Sequence, residues 1–412
     1  MNTITIMVYL FSFLFIIISL IITGSQKKRL ESVLLIALLF HYILIFVLES
    51  GVKYLFVIDN MKYEQDAWLT AKSWISNQPE IIALLTQTNL YTRFASTIFY
   101  LFGKSPMILT LFNSILGTFS IYFLVRLLRE LFLANTDRQL QERASVAFTV
   151  LISMYPSHIL WTTTNTKDPM TILFSVMGLF LFFKGTQGHL PKGKRGLFFL
   201  LAVICFYFEY QLRPYVVGLM AVGLICGYLY LFFSRYLSQK NLVLLFSCLI
   251  LIGFGILDGL HLDFVATQLN LLFETRMSFS NVGLDDAAQS SFLLNYRFES
   301  AWDLLLFLPQ TLSYYFFGPF PWQAVNARQV FSLIEPLVIL IALPITLRGI
   351  RKAFILNRCV TVLGLTMISF VVLGQALTIS NLGTIFRHRT FVLMFLGLFT
   401  VIGIYEKKTQ SC

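Results

Sequence analysis

The stretch Asp59-Asn60-Met61-Lys62-Tyr63-Glu64-Gln65-Asp66-Ala67-Trp68 decides how this chain is read. It is the centre of a long polar insertion, residues 51–105, between apolar runs that are each long enough to cross the ~30 Å hydrocarbon core of a bilayer. A membrane protein gains no stability from holding such a loop outside the lipid. Chemistry is therefore sought there first.

Outward from that loop the chain keeps one character. Of 412 residues, 57% are hydrophobic and 12% charged, against about 25% charged in soluble proteins, and the mean hydropathy is +0.76. This is the composition of an all-α polytopic membrane protein. The formal charge of +11 does not point to nucleic acid, because the cations recur in turns between apolar runs. These are Lys27-Lys28-Arg29, Arg126 to Arg143, Lys184 to Arg195, Arg235 with Lys240, Arg348 to Arg358, and Lys407-Lys408. The positive-inside rule makes those turns cytoplasmic.

Threaded that way, the chain forms a single integral-membrane domain, 1–412, of about 11 spans, with its N-terminus outside and its C-terminus in the cytoplasm. The expected spans are 4–23, 33–48, 105–128, 144–160, 169–184, 196–210, 215–233, 242–259, 330–347, 360–377 and 390–405. The first lacks a basic leading region and reads as a span, not a signal peptide. Ser105-Pro106 reads as cap and first residue of the third span. Two larger external loops follow, 50–105 and 261–328. The first carries two helices along the membrane surface, 66–76 and 90–102. In the second, 301–317 reads as a re-entrant or surface helix, because a lone crossing there would move Arg348, Arg351, Lys352 and Arg358 outside.

Four external turns hold the ionisable residues: the first loop with Asp59, Glu64 and Asp66, the Asn165 to Asp168 turn, the Glu209 to Arg213 turn, and Arg387-His388-Arg389. A carboxylate at the membrane boundary, shielded by Tyr63 and Trp68, has a pKa suited to taking a proton from a sugar hydroxyl. Arginines facing it bind phosphate through forked, charge-assisted bonds. Together these describe a site where a hydroxyl attacks a phosphate-linked group. Each residue also has a structural role open to it. Asp59 and Glu64 serve as solvated loop acids, Asp66 as the N-cap of 66–76, and Asp168, before Pro169, as an N-cap too. Glu209 and Arg213, four apart, form a helical ion pair, and Arg387 and Arg389 snorkel to head groups. His158, His261 and His388 lack ligand spacing and the five cysteines are scattered, so no metal site is expected.

Three segments resemble the GT-C superfamily of membrane glycosyltransferases, which includes protein O-mannosyltransferases and lipid A aminoarabinose transferases. They are Tyr63-Glu64-Gln65-Asp66-Ala67-Trp68, Leu101-Phe102-Gly103-Lys104-Ser105 within 90–128, and Tyr155-Pro156-Ser157-His158 through Lys167-Asp168. The resemblance covers mainly the first 185 residues. It implies that Asp66 stands for the first-loop acid that acts as general base or orients the acceptor, with Glu64 or Asp59 as substitutes. By the same resemblance Asp168 is the second acid, and Arg213 with Arg387, His388 and Arg389 clamps the lipid phosphate. Tyr63, Trp68 and Trp322 are the contacts for sugar or acceptor. The chain departs from the family in lacking a tight Asp-Glu or Asp-Asp pair, in an additional helix before the loop, and in having no soluble C-terminal sugar-binding domain.

The activity so implied is inverting transfer of a sugar from a polyprenyl phosphate or pyrophosphate to a hydroxyl of a surface glycan, lipid or protein, on the outer face of a bacterial inner membrane. No cofactor is required and a divalent metal is optional. A surface-polysaccharide polymerase or ligase using a lipid-linked oligosaccharide fits the same features. A lipid-linked sugar flippase predicts mid-membrane charges and an internal repeat instead.

Overall fold

The computed structural model describes residues 3–25, 29–48, 59–76, 89–238, 240–241, 271, 273–275, 291–292, 301–324 and 327–405. The expected span 242–259, much of the second external loop with His261, and Lys407-Lys408 lie outside the described residues. Among the described residues the chain is nearly all helical and has no strand, only an isolated bridge between Ser291 and Asn381.

The helices are α1 (Thr3–Ser25), α2 (Arg29–Leu48), α3 (Asp59–Ser76), α4 (Leu90–Phe102), α5 (Pro106–Leu127), α6 (Arg138–Ser153), α7 (Pro156–Thr162) and α8 (Asp168–Gly185). They continue as α9 (Lys192–Leu212), α10 (Pro214–Phe233), α11 (Ala301–Phe317), α12 (Ala327–Ser332), α13 (Ile334–Leu356), α14 (Arg358–Thr378) and α15 (Leu382–Ile404). Among the described residues 9 helical segments are long and apolar enough to cross a membrane: Ile4–Thr23, Arg29–Leu48, Pro106–Phe132, Asp168–Gly185, Lys192–Leu212, Pro214–Phe233, Gln329–Leu356, Arg358–Thr378 and Leu382–Ile404. α6 and α7 qualify only as a pair, bent by 68° at their break. Pro156 causes that break: it has no N–H to continue α6, and it forces Tyr155 into an extended conformation, φ −72° and ψ 127°. This is the architecture of a multi-pass membrane protein.

By internal packing the chain divides into two compact units. The first comprises 1–217, 345–356 and 394–412, and the second 218–344 and 357–393.

In the first unit, α1 buries only 11% of its span. It presents Met7, Leu10, Phe11, Phe15 and Ile21 outward, a surface suited to lipid and not to water. Its other side meets α2 through Ile16, Tyr42 and Ile45. α8 and α9 lie closely side by side because α8 offers glycines to the rings of α9. A Cβ on Gly178 would stand 2.8 Å from the Phe206 ring, so the small residue sets the approach distance. At their basic ends, Lys184 of α8 pairs with Glu130 at 2.7 Å, and Glu130 also pairs with Arg126. The 345–356 and 394–404 segments run backbone to backbone, since a Cβ on Gly349 would fall 1.7 Å from the Phe399 carbonyl oxygen.

In the second unit, α11 packs on α14, where the Tyr315 hydroxyl donates to Gln375 Oε1 at 2.8 Å. α14 also meets α10 at Gly223, whose Cβ position lies 2.4 Å from the Met367 Cα.

Candidate functional site

The first loop is not suspended from the membrane domain. Its two helices pack on each other through Ala67 and Ala71 against Tyr91, Ala95, Ile98 and Phe99, and this cluster continues into Ile108 and Leu109 of α5, Met170 of α8 and Leu212 of α9. α4 starts at Asn89, whose side-chain oxygen accepts from the Thr92 N–H at 3.0 Å. It ends at Gly103, φ 76°, a left-handed turn that suits glycine. Pro106 opens α5 with Ser105 at the N-cap position, as expected, but the Ser105 side chain makes no capping bond and its hydroxyl bonds the Thr5 hydroxyl at 2.6 Å instead.

α3 begins at Asp59, seven residues before the expected start at Asp66. Its buried face runs through Asn60, Glu64, Ala67 and Ala71, a spacing of 4, 3 and 4 that keeps one side of a helix. Glu64 therefore points into the packed layer, while Asp66 sits mid-helix on the flank, half-buried, and caps nothing. Asp59 is the first residue of α3, and its side chain lies outside the described residues. Tyr63 meets Tyr91 edge to face at 5.3 Å and Trp68 packs on the same cluster, so both aromatics build the layer that holds Glu64.

The turn after α7 ties this layer to the helix ends. Thr162, Thr163, Thr164, Asn165 and Thr166 are all buried. The Asn165 amide donates to Glu64 Oε1 at 2.7 Å and to the Pro106 carbonyl at 3.1 Å, and its oxygen accepts from Thr110 at 2.8 Å. One step along α5, the Asn113 amide donates to the Tyr91 hydroxyl at 2.9 Å and to the Thr164 carbonyl at 2.7 Å. Burial pushes the Tyr91 phenol well above its ordinary range, despite that bond, and the nearby Glu64 and Asp168 charges push the same way. Tyr91 is thus a neutral hydroxyl between two acids.

Lys167 donates to the Leu212 carbonyl at 3.0 Å. Asp168 opens α8 without capping it; its buried carboxylate pairs with Arg213. The expected helical pair between Glu209 and Arg213 does not form. Arg213 lies just past the end of α9 with φ −148° and ψ 80°, so its side chain leaves the α9 axis for the N-terminus of α8. Glu209 is fully buried, and the Ser175 hydroxyl is the one hydrogen-bonding group acting on its carboxyl among the described residues. The structure thus brings Glu64, Lys167, Asp168 and Arg213 to one end of α5, α8 and α9, and Asn165 and Tyr91 join them as residues the sequence gave no reason to single out individually.

Arg387, His388 and Arg389 belong to the second unit, and they lie in the first two turns of α15, not in a flexible turn. Arg389 is fully buried. Its Nε donates to Glu335 at 2.5 Å, and its Nη1 to the carbonyls of Tyr315 at 3.1 Å, Phe316 at 3.3 Å and Gly318 at 2.9 Å. The guanidinium also lies 5.3 Å over the Phe386 ring. These contacts make Arg389 the anchor of the α11 C-terminus, where cation and unpaired carbonyls attract, so neither snorkelling nor a free phosphate clamp describes it. His388 is buried beside it and Arg387 is half-buried. Trp322 stacks on Phe320 at 5.0 Å and is 78% exposed, leaving one ring face open.

Among the described residues no three His, Cys, Asp or Glu side chains gather as metal ligands. A comparison of the chain with protein-family models, curated proteins and solved structures finds no match in any of the three.

Proposed function

We propose that this chain is an integral-membrane glycosyltransferase that moves a sugar from a polyprenyl phosphate to an acceptor hydroxyl at the outer membrane face. One observation carries it: through the 165–168 turn, a first-loop acid, Glu64, is built into the same packed layer as the Asp168–Arg213 pair and Lys167. Acid and phosphate-binding cations are what the reaction needs. The segments that resemble the GT-C superfamily, 63–68, 101–105 and 155–168, are the ones that fold around this site.

In the displacement, the acceptor oxygen bonds to the anomeric carbon as the bond from that carbon to the lipid phosphate oxygen breaks. The phosphate leaves with the electron pair, its charge met by Arg213, which uses one side-chain N–H on Asp168. The acceptor proton passes to Glu64. Asp66, the first choice from sequence, lies on the half-buried flank of α3, outside the buried stripe that carries Glu64, and is the weaker candidate.

The site occupies the 106, 168 and 212 ends of α5, α8 and α9, and the basic residues Arg126, Arg129, Lys184, Lys192 and Arg195 occupy the opposite ends. With basic ends in the cytoplasm, the site faces outward. Charges gathered at helix ends also favour interfacial chemistry over a translocation path.

The test is sugar transfer from a defined polyprenyl-phosphate sugar by purified protein in detergent. Glu64→Gln is expected to lower turnover by about 10²–10⁴-fold with lipid binding retained, and Asp66→Asn to stay within about threefold of wild type. The reverse pattern would move the acid to Asp66. If wild type consumes no donor but carries labelled lipid across reconstituted vesicles, the enzyme proposal fails and translocation replaces it.

A further inference from the structure

Behind Arg213 lie polar groups that the displacement leaves unused. Glu209 sits about one turn, roughly 5 Å, inside the end of α9, on the buried stripe Ala202, Cys205, Glu209, Leu212. An apolar residue would pack there, yet the position holds a fully buried carboxyl for which the Ser175 hydroxyl is the one hydrogen-bonding neighbour among the described residues, so its oxygens are left under-bonded. On the neighbouring helix, Thr171 lies one turn into α8 from Asp168, buried, with its hydroxyl without a hydrogen bond among the described residues. Ser175, a turn further on the same face of α8, is beside the Glu209 carboxyl, and Arg213, Lys167 and Asp168 are the charged groups that act on it. Buried polar groups left without partners are costly and rare.

We propose that Glu209, with Thr171, receives a hydroxyl of the transferred sugar, which makes Glu209 a specificity-determining residue of the site. The identity of the ligand rests on the transferase proposal above. Charge orients it: Arg213 and Lys167 are the cations of the site, so the anionic end of a glycosyl phosphate stays with them and the neutral, hydroxyl-bearing end lies beside Glu209. A hydroxyl both donates and accepts, and the carboxyl and the Thr171 hydroxyl offer it one partner of each kind.

The experiment uses the full chain in detergent and two probes, farnesyl phosphate and farnesyl phosphate carrying a hexose. Glu209→Leu and Thr171→Val are expected to weaken the sugar-bearing lipid about tenfold or more while farnesyl phosphate stays within about twofold, the loss expected when a buried hydrogen-bond partner is removed. Glu209→Gln, which keeps an acceptor, should lose less, and one member of a monodeoxy hexose series should reproduce the loss on wild type. Unchanged affinities in Glu209→Leu overturn the proposal, and so does parallel loss of both lipids, which marks a purely structural group. Labelling of Glu209 by dicyclohexylcarbodiimide, located by mass spectrometry, is the second readout. Free hexose slows the labelling of an occupied pocket, whereas an absent or hexose-insensitive label overturns the proposal. Should wild type bind neither lipid, transfer from polyprenyl phosphate is refuted, and hexose protection alone decides Glu209.

Discussion

Removing the Arg389 guanidinium would leave Glu335 charged and buried, and the carbonyls of Tyr315, Phe316 and Gly318 without their donor. Breaking one side of such a pair costs about 3–5 kcal/mol. Arg389→Met should therefore lower the thermal midpoint in detergent sharply, and adding Glu335→Gln should recover part of the loss because no lone charge remains. If Arg389→Met unfolds with wild type, the anchoring role is wrong. Asn165 follows the same logic on a smaller scale. Asn165→Ala leaves the buried Glu64 without that donor, a loss of about 1–3 kcal/mol. Asn165→Asp sets a second carboxyl against Glu64 and should unfold at a lower temperature than Asn165→Ala near neutral pH, a difference that narrows in acid as one carboxyl takes a proton. Each side chain here acts through what its absence would leave unpaired.

Helices bring these side chains together, and glycines set how close the helices come. Gly349→Ala would drive a methyl group into the Phe399 carbonyl, 1.7 Å from the ideal Cβ position. The backbones must then separate, at a cost of about 1–3 kcal/mol or more. Gly193, near the start of α9, has nothing within 4 Å of its Cβ position, so Gly193→Ala should leave stability unchanged or raise it by up to about 1 kcal/mol. Comparing the two unfolding midpoints tests whether packing, not helix propensity, limits α13 and α15. The same scale explains why the early start of α3 escaped the sequence. Its buried stripe contains Asn60, Glu64, Thr70 and Ser73, so the hydrophobic period that reveals a helix is absent. A helix face that packs on a polar site looks like a solvated loop in one dimension. Arg387 to Arg389 were misplaced for a related reason: Asn381 and Gly383 suggest a turn, whereas Asn381 accepts from the Thr384 N–H at 3.1 Å and starts α15.

For the molecule as a whole, the proposed outward orientation of the site yields a direct test. In a cysteine-free background, Lys104→Cys, exposed just before α5, should react with a membrane-impermeant maleimide from outside intact cells, and Gly188→Cys, between α8 and α9, only after the inner leaflet is opened. The opposite pattern would put the site in the cytoplasm and end the case for an outer-face donor. The sequence by itself determined the membrane class, the helical architecture and, among the described residues, where most of the apolar helices lie. Lipid demands long apolar runs and excludes unpaired backbone, and both demands are written locally. It also marked the 165–168 turn and the first loop as the places to look. Only the tertiary structure decided which charge meets which: Asp168 with Arg213 across 45 positions, Arg389 with Glu335 across 54, and Glu64 with Asn165 across 101. Hydrogen bonds and Coulomb forces act over a few ångströms of space, and neighbourhood along the chain, as between Glu209 and Arg213, has no claim on them once a helix ends and its last side chain turns toward another helix.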